Sequence, residues 1–441
     1  MRLSIRGKRA VNVLRAIWVL VIFYYEFAVF LRAADRCDWP DNELSARSID
    51  PQVLDSRSYP DRSALVTWLS QLFTDMNMRK SWYAIARKEP DAVVFLGDMM
   101  DNGRYNIDNE EYETYYRRFK SIFHLASQAP VYYIPGNHDI GLGDSELFSK
   151  NANARYVSHF GPLNHVAEVG NHTFLFIDAP SLAEEDRERH PTGITVDQWT
   201  AKRGGTLEFI REFANKSHRD RPLILFTHIP LARPNGASCG PNRERGTIHR
   251  GSGHGYQNTL GQQMTTYLLD TLEPSVAFSG DDHDYCEFVH ETESQRTREV
   301  SVKSISMAMG ISQPGYQLLS LSRLPGQPTF ADRPCLLPNQ LFIYLSIYVP
   351  LLVLSILYLA AAKLVRARYI EGGRGRQRGL SVSIEMGTLG GSLSGGTGRT
   401  GQSRNSFLMD VRDTAVYPLT LFVLIAWWSF LDTSGGARQD R

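Results

Sequence analysis

One pattern of apolar and polar residues recurs through the middle of the chain. A run of three to five apolar residues ends abruptly in a polar or turn residue, as in AVVFL before Gly97, VYYI before Pro135, TFLFI before Asp178, LILF before Thr227 and VAF before Ser279. Short apolar runs bounded by turn residues are typical of buried strands. Between two of them, residues 108–127 carry aromatic side chains at helical spacing. The pattern predicts an α/β domain with a layered β-sheet core flanked by helices.

Most of these predicted strand ends supply a residue that can bind a metal. Asp98 offers a carboxylate, Asn137 a carbonyl oxygen, and His228 and His283 imidazole nitrogens. Polar residues just past strand ends project into one crevice at the edge of a sheet. Two cations about 3.5–4 Å apart can hold a phosphoryl group and lower the pKa of a bound water towards ~7. The strand ends therefore predict a two-metal site, whereas Asp178 is interpreted as the cap of a turn.

Three longer apolar blocks predict membrane spans. Residues 11–31 have the length of about 20 residues that a helix needs to cross a bilayer, although they include Arg15 and Glu26. A membrane anchor and a cleaved signal peptide share this layout, and both remain open. Residues 341–362 carry no charge and predict a transmembrane helix. Residues 415–431 predict a third, shorter one.

Basic residues set the predicted orientation. They precede the first block and follow the second, and the positive-inside rule places both flanks in the cytoplasm. The chain would then begin with a cytoplasmic N-terminus (1–10), a first span (11–31) and a lumenal domain (32–340). A second span (341–362) would lead to a disordered, basic, Gly/Ser-rich cytoplasmic loop (363–414), and a third span (415–431) to a lumenal tail (432–441).

Charge and cysteine content narrow the function classes. The formal net charge is +1, from 48 basic and 47 acidic residues, which gives no overall field for binding nucleic acid. The four cysteines lack zinc-finger spacing and allow free thiols or one or two disulfides. Glycosylation sequons at Asn171 and Asn215 are consistent with a domain in the lumen of the secretory pathway.

Four motifs in this order carry a family resemblance. They are GDxxDxGR from Gly97, GNHD from Gly136, THIP from Thr227 and SGDDHDY from Ser279. Over roughly residues 50–320 the chain resembles the calcineurin-like metallophosphoesterases. It is most similar to the membrane-bound branch of the endoplasmic reticulum, which removes ethanolamine-phosphate from glycosylphosphatidylinositol (GPI) anchors. The resemblance implies a hydrolase of phosphoric esters, embedded in that membrane and acting on a lipid-linked phosphodiester of GPI-anchored proteins.

The resemblance also implies a set of ligands for two divalent cations. Asp98 would bridge both cations, and the remaining ligands would be Asp50, Gln52 and His283 at one site and Asn137, His228 and Asp281 at the other. Gln52 and Asp281 stand where the family pattern usually has histidine. Because oxygen-rich sites suit Mn²⁺ or Mg²⁺ better than Zn²⁺, we expect manganese.

The same resemblance gives four further residues roles in the reaction at the phosphoryl group. His138 would donate a proton to the leaving oxygen or stabilise the phosphoryl charge. Asp139 would orient the ring of His138, and Arg104, like Asp101, would face the phosphate or support the ligands. His249 and His254 could line the substrate pocket.

The segment before Asp50 does not fit this picture. Residues 40–49 read PDNELSARSI and predict no buried strand, although the first ligand of the fold normally follows one. A catalytically impaired relative that acts as a trafficking or cargo factor therefore stays open. A phosphatase for soluble or protein substrates, which would need no membrane tether, is a separate alternative.

Among the possible cysteine pairings we favour Cys239 with Cys286. A bridge there would hold a long loop against the turn that carries His283. Two buried thiols that never meet are the alternative.

Overall fold

The computed structural model describes residues 2–40, 44–51, 53–55, 58, 61–143, 145–216, 220–322, 329–381 and 399–431. The chain divides into two compact units. One, here the helical unit, combines the residues up to Val29 with 341–428. The other, here the sheet unit, runs chiefly from Phe30 to Gln340 and so corresponds to the predicted domain at 32–340.

Strands and helices alternate along the sheet unit. The strands are β1 Leu44–Ile49, β2 Ala92–Phe95, β3 Val131–Tyr133, β4 His165–Val169, β5 His172–Ile177, β6 Leu223–Thr227, β7 Ser252–Gly253, β8 Tyr256–Gln257, β9 Val276–Ser279, β10 Cys286–Glu291, β11 Arg296–Ser301, β12 Gly315–Leu321 and β13 Phe330–Leu336. The helices of the chain are α1 Arg2–Phe23, α2 Val29–Arg36, α3 Ala64–Ala86, α4 Asn109–Ile122, α5 Asn137–Ile140, α6 Ala152–Phe160, α7 Ala179–Arg189, α8 Thr206–Asn215, α9 Gln262–Leu272, α10 Gln340–Phe342, α11 Val349–Ser381 and α12 Arg399–Leu431. All five strands and the helix expected from the apolar pattern are present.

The strands form two large sheets. One has the order β13-β12-β1-β2-β3 and the other β10-β11-β9-β6-β5-β4, with β7 and β8 as a separate hairpin. Pairing is parallel from β1 through β3 and along β5, β6, β9 and β11. The carboxyl ends of the parallel strands within each sheet therefore lie at one edge, where the predicted ligands follow them.

Alternating side chains place the two sheets face to face between layers of helices. On β2, Ala92 and Val94 pack with Phe174, Phe226 and Phe278 of the six-stranded sheet. The opposite face of the same strand packs against α3, α4 and α6. Helices α7, α8 and α9 cover the outer face of the six-stranded sheet. The result is the predicted layered α/β fold.

The strand β1 corrects the prediction for residues 40–49. Its six residues pair antiparallel with β12 and parallel with β2, so β1 lies in the middle of its sheet. Both Ser48 and Ile49 are buried at its end. Strand formation here depends on neighbours that supply backbone partners on both sides, which the local sequence does not show. Asp50 therefore does follow a central strand.

The helical unit contains the apolar blocks. Two helical stretches, Arg9–Arg36 and Gln340–Tyr369, are long and apolar enough to cross a membrane by length and composition alone. The third predicted span, 415–431, lies within α12 but does not meet that criterion over the residues searched. Inside the unit, the carboxylate of Glu26 accepts a hydrogen bond from the Tyr348 hydroxyl at 2.7 Å. The acidic residue in the first block thus has a partner in the second.

The predicted loop at 363–414 differs from the structure. The helix α11 continues to Ser381 and α12 begins at Arg399, so the described parts of this segment are helical; residues 382–398 lie outside them. Elongating an existing helix avoids the costly nucleation step, and arginine is a good helix former. The composition of the segment predicted disorder because composition does not show that the helix of the second span continues beyond residue 362.

Candidate metal centre

The centre of the site is His228, which follows β6 and is fully buried. Its Nδ1 lies 2.6 Å from the backbone carbonyl of Leu96, the residue that follows β2. This carbonyl can only accept, so Nδ1 carries the proton and donates it. A bond of this kind fixes the ring and leaves Nε2 as the nitrogen that can bind a metal.

Three oxygens surround that nitrogen. They are Asn137 Oδ1 at 3.1 Å, Asp98 Oδ1 at 3.4 Å and Asp281 Oδ1 at 3.4 Å. The ligand atoms of Asp98, His228 and Asp281 lie within 4.8 Å of one another. Burial opposes a charge on His228, but the two carboxylates outweigh it and raise its pKa to about 10. The pocket therefore favours positive charge, as a divalent cation would supply.

The other half of the site is formed by Asp50. Its side chain is fully buried, and neither carboxylate oxygen has a hydrogen-bond partner among the described residues; Asp98 Oδ2 is in the same situation. Burial, together with the charges of Asp98 and Asp281, raises the pKa of Asp50 well above its usual value. Buried polar atoms without partners are costly, and a bound cation would satisfy them. The residues present therefore fit a metal, while Gln52 lies outside the described part of the chain.

The ligand turns are strained. Asp98, Asp281 and His283 have positive φ angles of 55°, 63° and 65°. Non-glycine residues in this region persist only where the surroundings enforce it, and they concentrate at functional sites. A Cβ on Gly136 would lie 2.0 Å from Asp98 Oδ1, so the GNHD motif needs its glycine to let the two loops approach.

The ring of His138 is held by Asp101, not by Asp139. His138 Nδ1 lies 2.9 Å from Asp101 Oδ1 and 2.7 Å from the Asp101 carbonyl oxygen. Asp101 therefore holds the ring through Nδ1 and not through Nε2. Burial alone would lower the pKa of His138, but Asp98 and Asp101 outweigh it and raise it to about 9. The side chain is about a quarter exposed, so it is accessible to a substrate.

The prediction for Asp139 is therefore wrong. Its carboxylate accepts backbone hydrogen bonds from Gly136 at 2.9 Å and Met100 at 3.0 Å. As the third residue of α5, it folds back onto the residue before the helix, in the manner of a capping box. Asp139 fixes the turns that carry Asp98 and Asn137 and does not touch the ring of His138.

Arg104 holds the ligand loops together. Its guanidinium donates to the carbonyls of Gly255 at 3.0 Å and Asn137 at 3.3 Å, and it lies over the ring of Phe148. Asn137 Nδ2 also donates to Gly255, at 2.7 Å, which turns Asn137 Oδ1 towards His228. The glycine-rich stretch thus reaches the site through the Gly255 carbonyl.

The predicted pocket histidines lie on the surface. Both His249 and the His254 that precedes Gly255 are exposed. The ring of His254 lies 5.4 Å from that of Phe148.

His283 lies on a turn fixed by its acidic neighbours. Its carbonyl accepts a hydrogen bond from Ser304 at 2.9 Å. Burial alone would raise the pKa of Asp98, but His228, His138 and His283 outweigh it and lower that pKa. Asp284 pairs with Lys303 at 2.8 Å, and Asp282 pairs with Arg243. The sequence analysis missed the two basic side chains, Arg243 and Lys303. The acidic residues Asp282 and Asp284 on either side of His283 indicated that such partners were needed.

Two disulfides are present. Cys239 and Cys286 are bonded, with Cα atoms 4.2 Å apart, which confirms the favoured pairing. The bridge holds the loop that carries Arg243 against the 280–285 turn. The other pair, Cys37 with Cys335, joins the start and the end of the sheet unit.

Behind the site lies a buried ionic network that the sequence did not reveal. Arg233 pairs with Glu299 at 2.6 Å, and both side chains are fully buried. His290 also contacts Glu299, at 2.7 Å. Glu299 accepts from the backbone N–H of Leu231 at 3.0 Å and the hydroxyl of Ser279 at 2.8 Å. It therefore links the loop after His228 to the strand before Asp281.

The middle of the chain matches a known protein family. The sequence profile of the calcineurin-like phosphoesterases (Metallophos) matches residues 61–285, which is just over half of the chain and excludes Asp50 and Gln52.

Two relatives and one solved structure are similar to the chain. Cell division control protein 1 of Saccharomyces cerevisiae is 35% identical over 330 residues, covering 71% of this chain and 64% of that protein. Metallophosphoesterase 1 of Ailuropoda melanoleuca is 24% identical over 373 residues, covering 77% of this chain and 90% of that protein. A dimetal phosphatase from Danio rerio aligns with a TM-score of 0.38 and 13% identity, covering 67% of this chain and 100% of that one.

Proposed function

The chain belongs to the calcineurin-like phosphoesterases, and from this premise we propose that it hydrolyses a lipid-linked phosphodiester, namely the ethanolamine-phosphate of GPI anchors, in the lumen of the endoplasmic reticulum. Metal-dependent hydrolysis of phosphoric esters follows from membership of this family. The substrate rests on the segments that resemble the GPI-remodelling branch, DPQVLDSRSYP at 50–60 and VKSISMAMG at 302–310.

The burial of Asp50 is the observation that best supports an active enzyme. A fully buried carboxylate that has no hydrogen-bond partner among the described residues, beside the buried Asp98, is costly unless a cation binds there. In a catalytically impaired trafficking factor, substitution of this residue would carry no penalty. The finding supports catalysis over that alternative.

The residues divide into ligands and proton carriers. A dinuclear centre of divalent cations is the family's cofactor, and here Asp98, Asn137, His228, Asp281, Asp50 and His283 would hold it, together with Gln52. When bound, such a pair binds phosphoryl oxygens and activates water at neutral pH. His138, fixed through Nδ1 by Asp101, presents Nε2 to the leaving oxygen and donates a proton to it.

Manganese is proposed as the metal because most of these donors are oxygens. Counting Gln52, only His228 and His283 bind through nitrogen, and imidazole-poor sites suit Mn²⁺ or Mg²⁺ better than Zn²⁺.

Membrane attachment and a lumenal position are supported by three features of the chain. Two helices have membrane-spanning length and composition. Both disulfides need an oxidising compartment to persist. The side chains of Asn171 and Asn215, which begin the two sequons, are exposed. The Glu26–Tyr348 bond favours a retained first helix over a cleaved signal peptide, since cleavage would leave Tyr348 without this partner.

The proposal is tested with the full chain in detergent or vesicles. Metal content is measured directly, and hydrolysis is compared between a GPI glycan bearing ethanolamine-phosphate, a water-soluble aryl phosphodiester and a phosphopeptide. Preference for the lipid-linked diester is expected. Metal binding with preference for the phosphopeptide would favour the soluble-substrate phosphatase, and absence of bound metal would favour the trafficking factor.

A further inference from the structure

The first half of α3 exposes an apolar surface that the catalytic site does not use. The helix begins ALVTWLSQLF, and only Thr67 of these ten residues is buried. Leu65 is 65% exposed, Val66 46% and Trp68 56%. We call these three residues the α3 patch. A surface helix of a globular domain normally turns polar residues to solvent, so an apolar exposed stretch indicates a contact with another apolar phase.

Strand topology shows where the chain leaves the sheet unit. The strand β12 is antiparallel to β1, and β13 is antiparallel to β12, so β13 runs in the same direction as β1. Its last residue, Leu336, pairs with Gly315, at the edge where β1 leads into Asp50. Gln340, the first residue of the apolar helix Gln340–Tyr369, follows four residues later. The chain therefore enters this helix from the edge that carries the metal ligands.

The helix α3 passes that exit and continues beyond it. Asn77 and Lys80 donate to Gln340 Oε1 at 3.3 and 3.0 Å. The ammonium group of Lys80 also lies 4.8 Å from the ring centre of Phe30, where the sheet unit begins. The middle of α3 is thus fixed at both points where the chain enters and leaves the sheet unit.

The direction of α3 follows from its connection to β2. Five residues join the end of α3 to β2, and Trp82 packs 6.1 Å from Phe95, so the helix runs antiparallel to the strand. Asn77 donates to Gln340, which follows the end of β13 at the metal-bearing edge. Residues before Met78 therefore extend past the metal-bearing edge, and Leu65 lies about 18 Å beyond Asn77 at 1.5 Å per residue.

From these observations we propose that the α3 patch binds the surface of the bilayer that holds the apolar helices, and that it seats the metal centre at the level of the lipid headgroups. Tryptophan is favoured at this interface because its ring is amphipathic, and leucine and valine gain by leaving water. The proposal deepens the proposed function, on which it rests for the identity of the substrate. A site that faces the bilayer is suited to a phosphodiester that cannot leave it.

Fluorophores placed on the patch test the contact without reference to activity. All four cysteines of the chain are in disulfides, so Leu65→Cys and Trp68→Cys each give a single labelling site. Ile194→Cys is the matched control, because Ile194 is 38% exposed and follows α7, which leads away from the ligand edge after β5. The full chain is reconstituted in phosphatidylcholine vesicles that contain a lipid with a nitroxide near the headgroup.

Strong quenching and blue-shifted emission are expected at positions 65 and 68, and neither at 194. Equal quenching at 68 and 194 would overturn the proposal. So would a cross-link between two copies through position 68 in place of quenching, because a second copy would then cover the patch.

A second measurement uses activity and keeps the two proposals separate. The variant with Leu65→Ser, Val66→Ser and Trp68→Ser should raise KM for a vesicle-embedded phosphodiester by roughly tenfold, while kcat/KM for a soluble aryl phosphodiester stays unchanged. Equal loss on both substrates would mean a structural role and contradict docking. If the lipid were not hydrolysed at all, the proposed substrate would fail while the quenching result would still decide the docking.

Discussion

The two halves of the metal centre are built differently. The half around His228 uses the ends of three apolar strands, β3, β6 and β9, and behind it lies the fully buried Arg233–Glu299 pair. The half around Asp50 follows β1, which lacks an apolar run, and depends on a loop held by side chains. Asn102 bonds to Asp55, and Arg118 donates to the Leu54 carbonyl at 2.6 Å. One half is therefore positioned by apolar strands, and the other by a central strand without an apolar run, together with hydrogen bonds to the loop that follows it.

The largest effect is expected where the two halves meet, at Asp98. Asp98→Asn keeps a residue that tolerates the positive φ angle of 55° but removes the charge that would bridge the two proposed cations. Hydrolysis of a soluble phosphodiester should be lost, together with bound metal, as measured by elemental analysis. Retained metal with retained turnover would show that the two halves do not share this residue.

His138 should separate chemistry from metal binding. His138→Ala is expected to lower turnover about 10²–10⁴-fold, the usual size of a general acid's contribution, and to leave metal content nearly intact. Asp101→Asn should reproduce part of this loss because Asp101 holds the ring. Asp139→Asn is the matched control for the corrected assignment: it should lower thermal stability instead. An equal loss of metal in His138→Ala and Asp98→Asn would contradict the role of His138.

The buried network should control the stability of the His228 half. Glu299→Gln leaves Arg233 as an uncompensated buried charge, and breaking such a pair costs about 3–5 kcal/mol of unfolding free energy. Exposed Glu291 pairs with Arg296 on the same hairpin, so Glu291→Gln serves as the control, with a cost of about 0–1 kcal/mol. Chemical denaturation measures both, and equal costs would contradict the comparison.

The carboxyl group of Glu299 also determines how the stability of the fold changes with pH. Burial alone would raise the pKa of Glu299, but Arg233 and His290 outweigh it and lower it to about 2 from an ordinary 4.5. A lowered pKa stabilises the folded state fully above pH 4.5, and this contribution is lost as the pH falls towards 2. The difference in unfolding free energy between the native chain and Glu299→Gln should therefore shrink over that window. A constant difference would mean that Glu299 is already protonated in the folded state.

The smallest effect is expected in the Asp50 half. Arg118→Gln removes the donor to the Leu54 carbonyl and the ion pair with Asp75 at 2.7 Å. Affinity for one of two metals should fall about tenfold, as for other groups that support ligands from behind, while the second metal stays bound. Arg117→Gln, on the same helix with a 66% exposed side chain, is the control. Equal loss of both metals would show that the halves do not bind independently.

What the sequence predicted, and what it did not, follows the same division. The predicted ligands after apolar strands, such as Asn137 and His228, could be placed at strand ends because strand and turn signals are local. The strand β1 could not be predicted, because its partner residues are distant in sequence. Those on β2 are more than 40 positions away, and those on β12 are more than 260 positions away. Likewise, Arg118 and Glu299 gave no local signal of the groups that they hold.

The wrong prediction that Asp139, and not Asp101, holds the ring of His138 has a simpler cause. The family resemblance gave Asp139 as the partner of His138, although adjacent residues of a helix point in different directions. Asp139 is the third residue of a short helix, where an acidic side chain caps the helix start. That local rule was available from the sequence and would have left Asp101 as the partner.

The disulfide between Cys37 and Cys335 has a mechanical consequence. It joins residues 298 positions apart, one just after the first apolar helix and one just before the second. A pulling force applied to either helix therefore reaches a cysteine first and crosses to the other through the sulfur bond. The 297 residues between them, with both sheets and the ligand turns, form a closed covalent ring that bears almost none of this tension. Extraction of the chain by either end would leave the metal centre undistorted until that one bond is reduced.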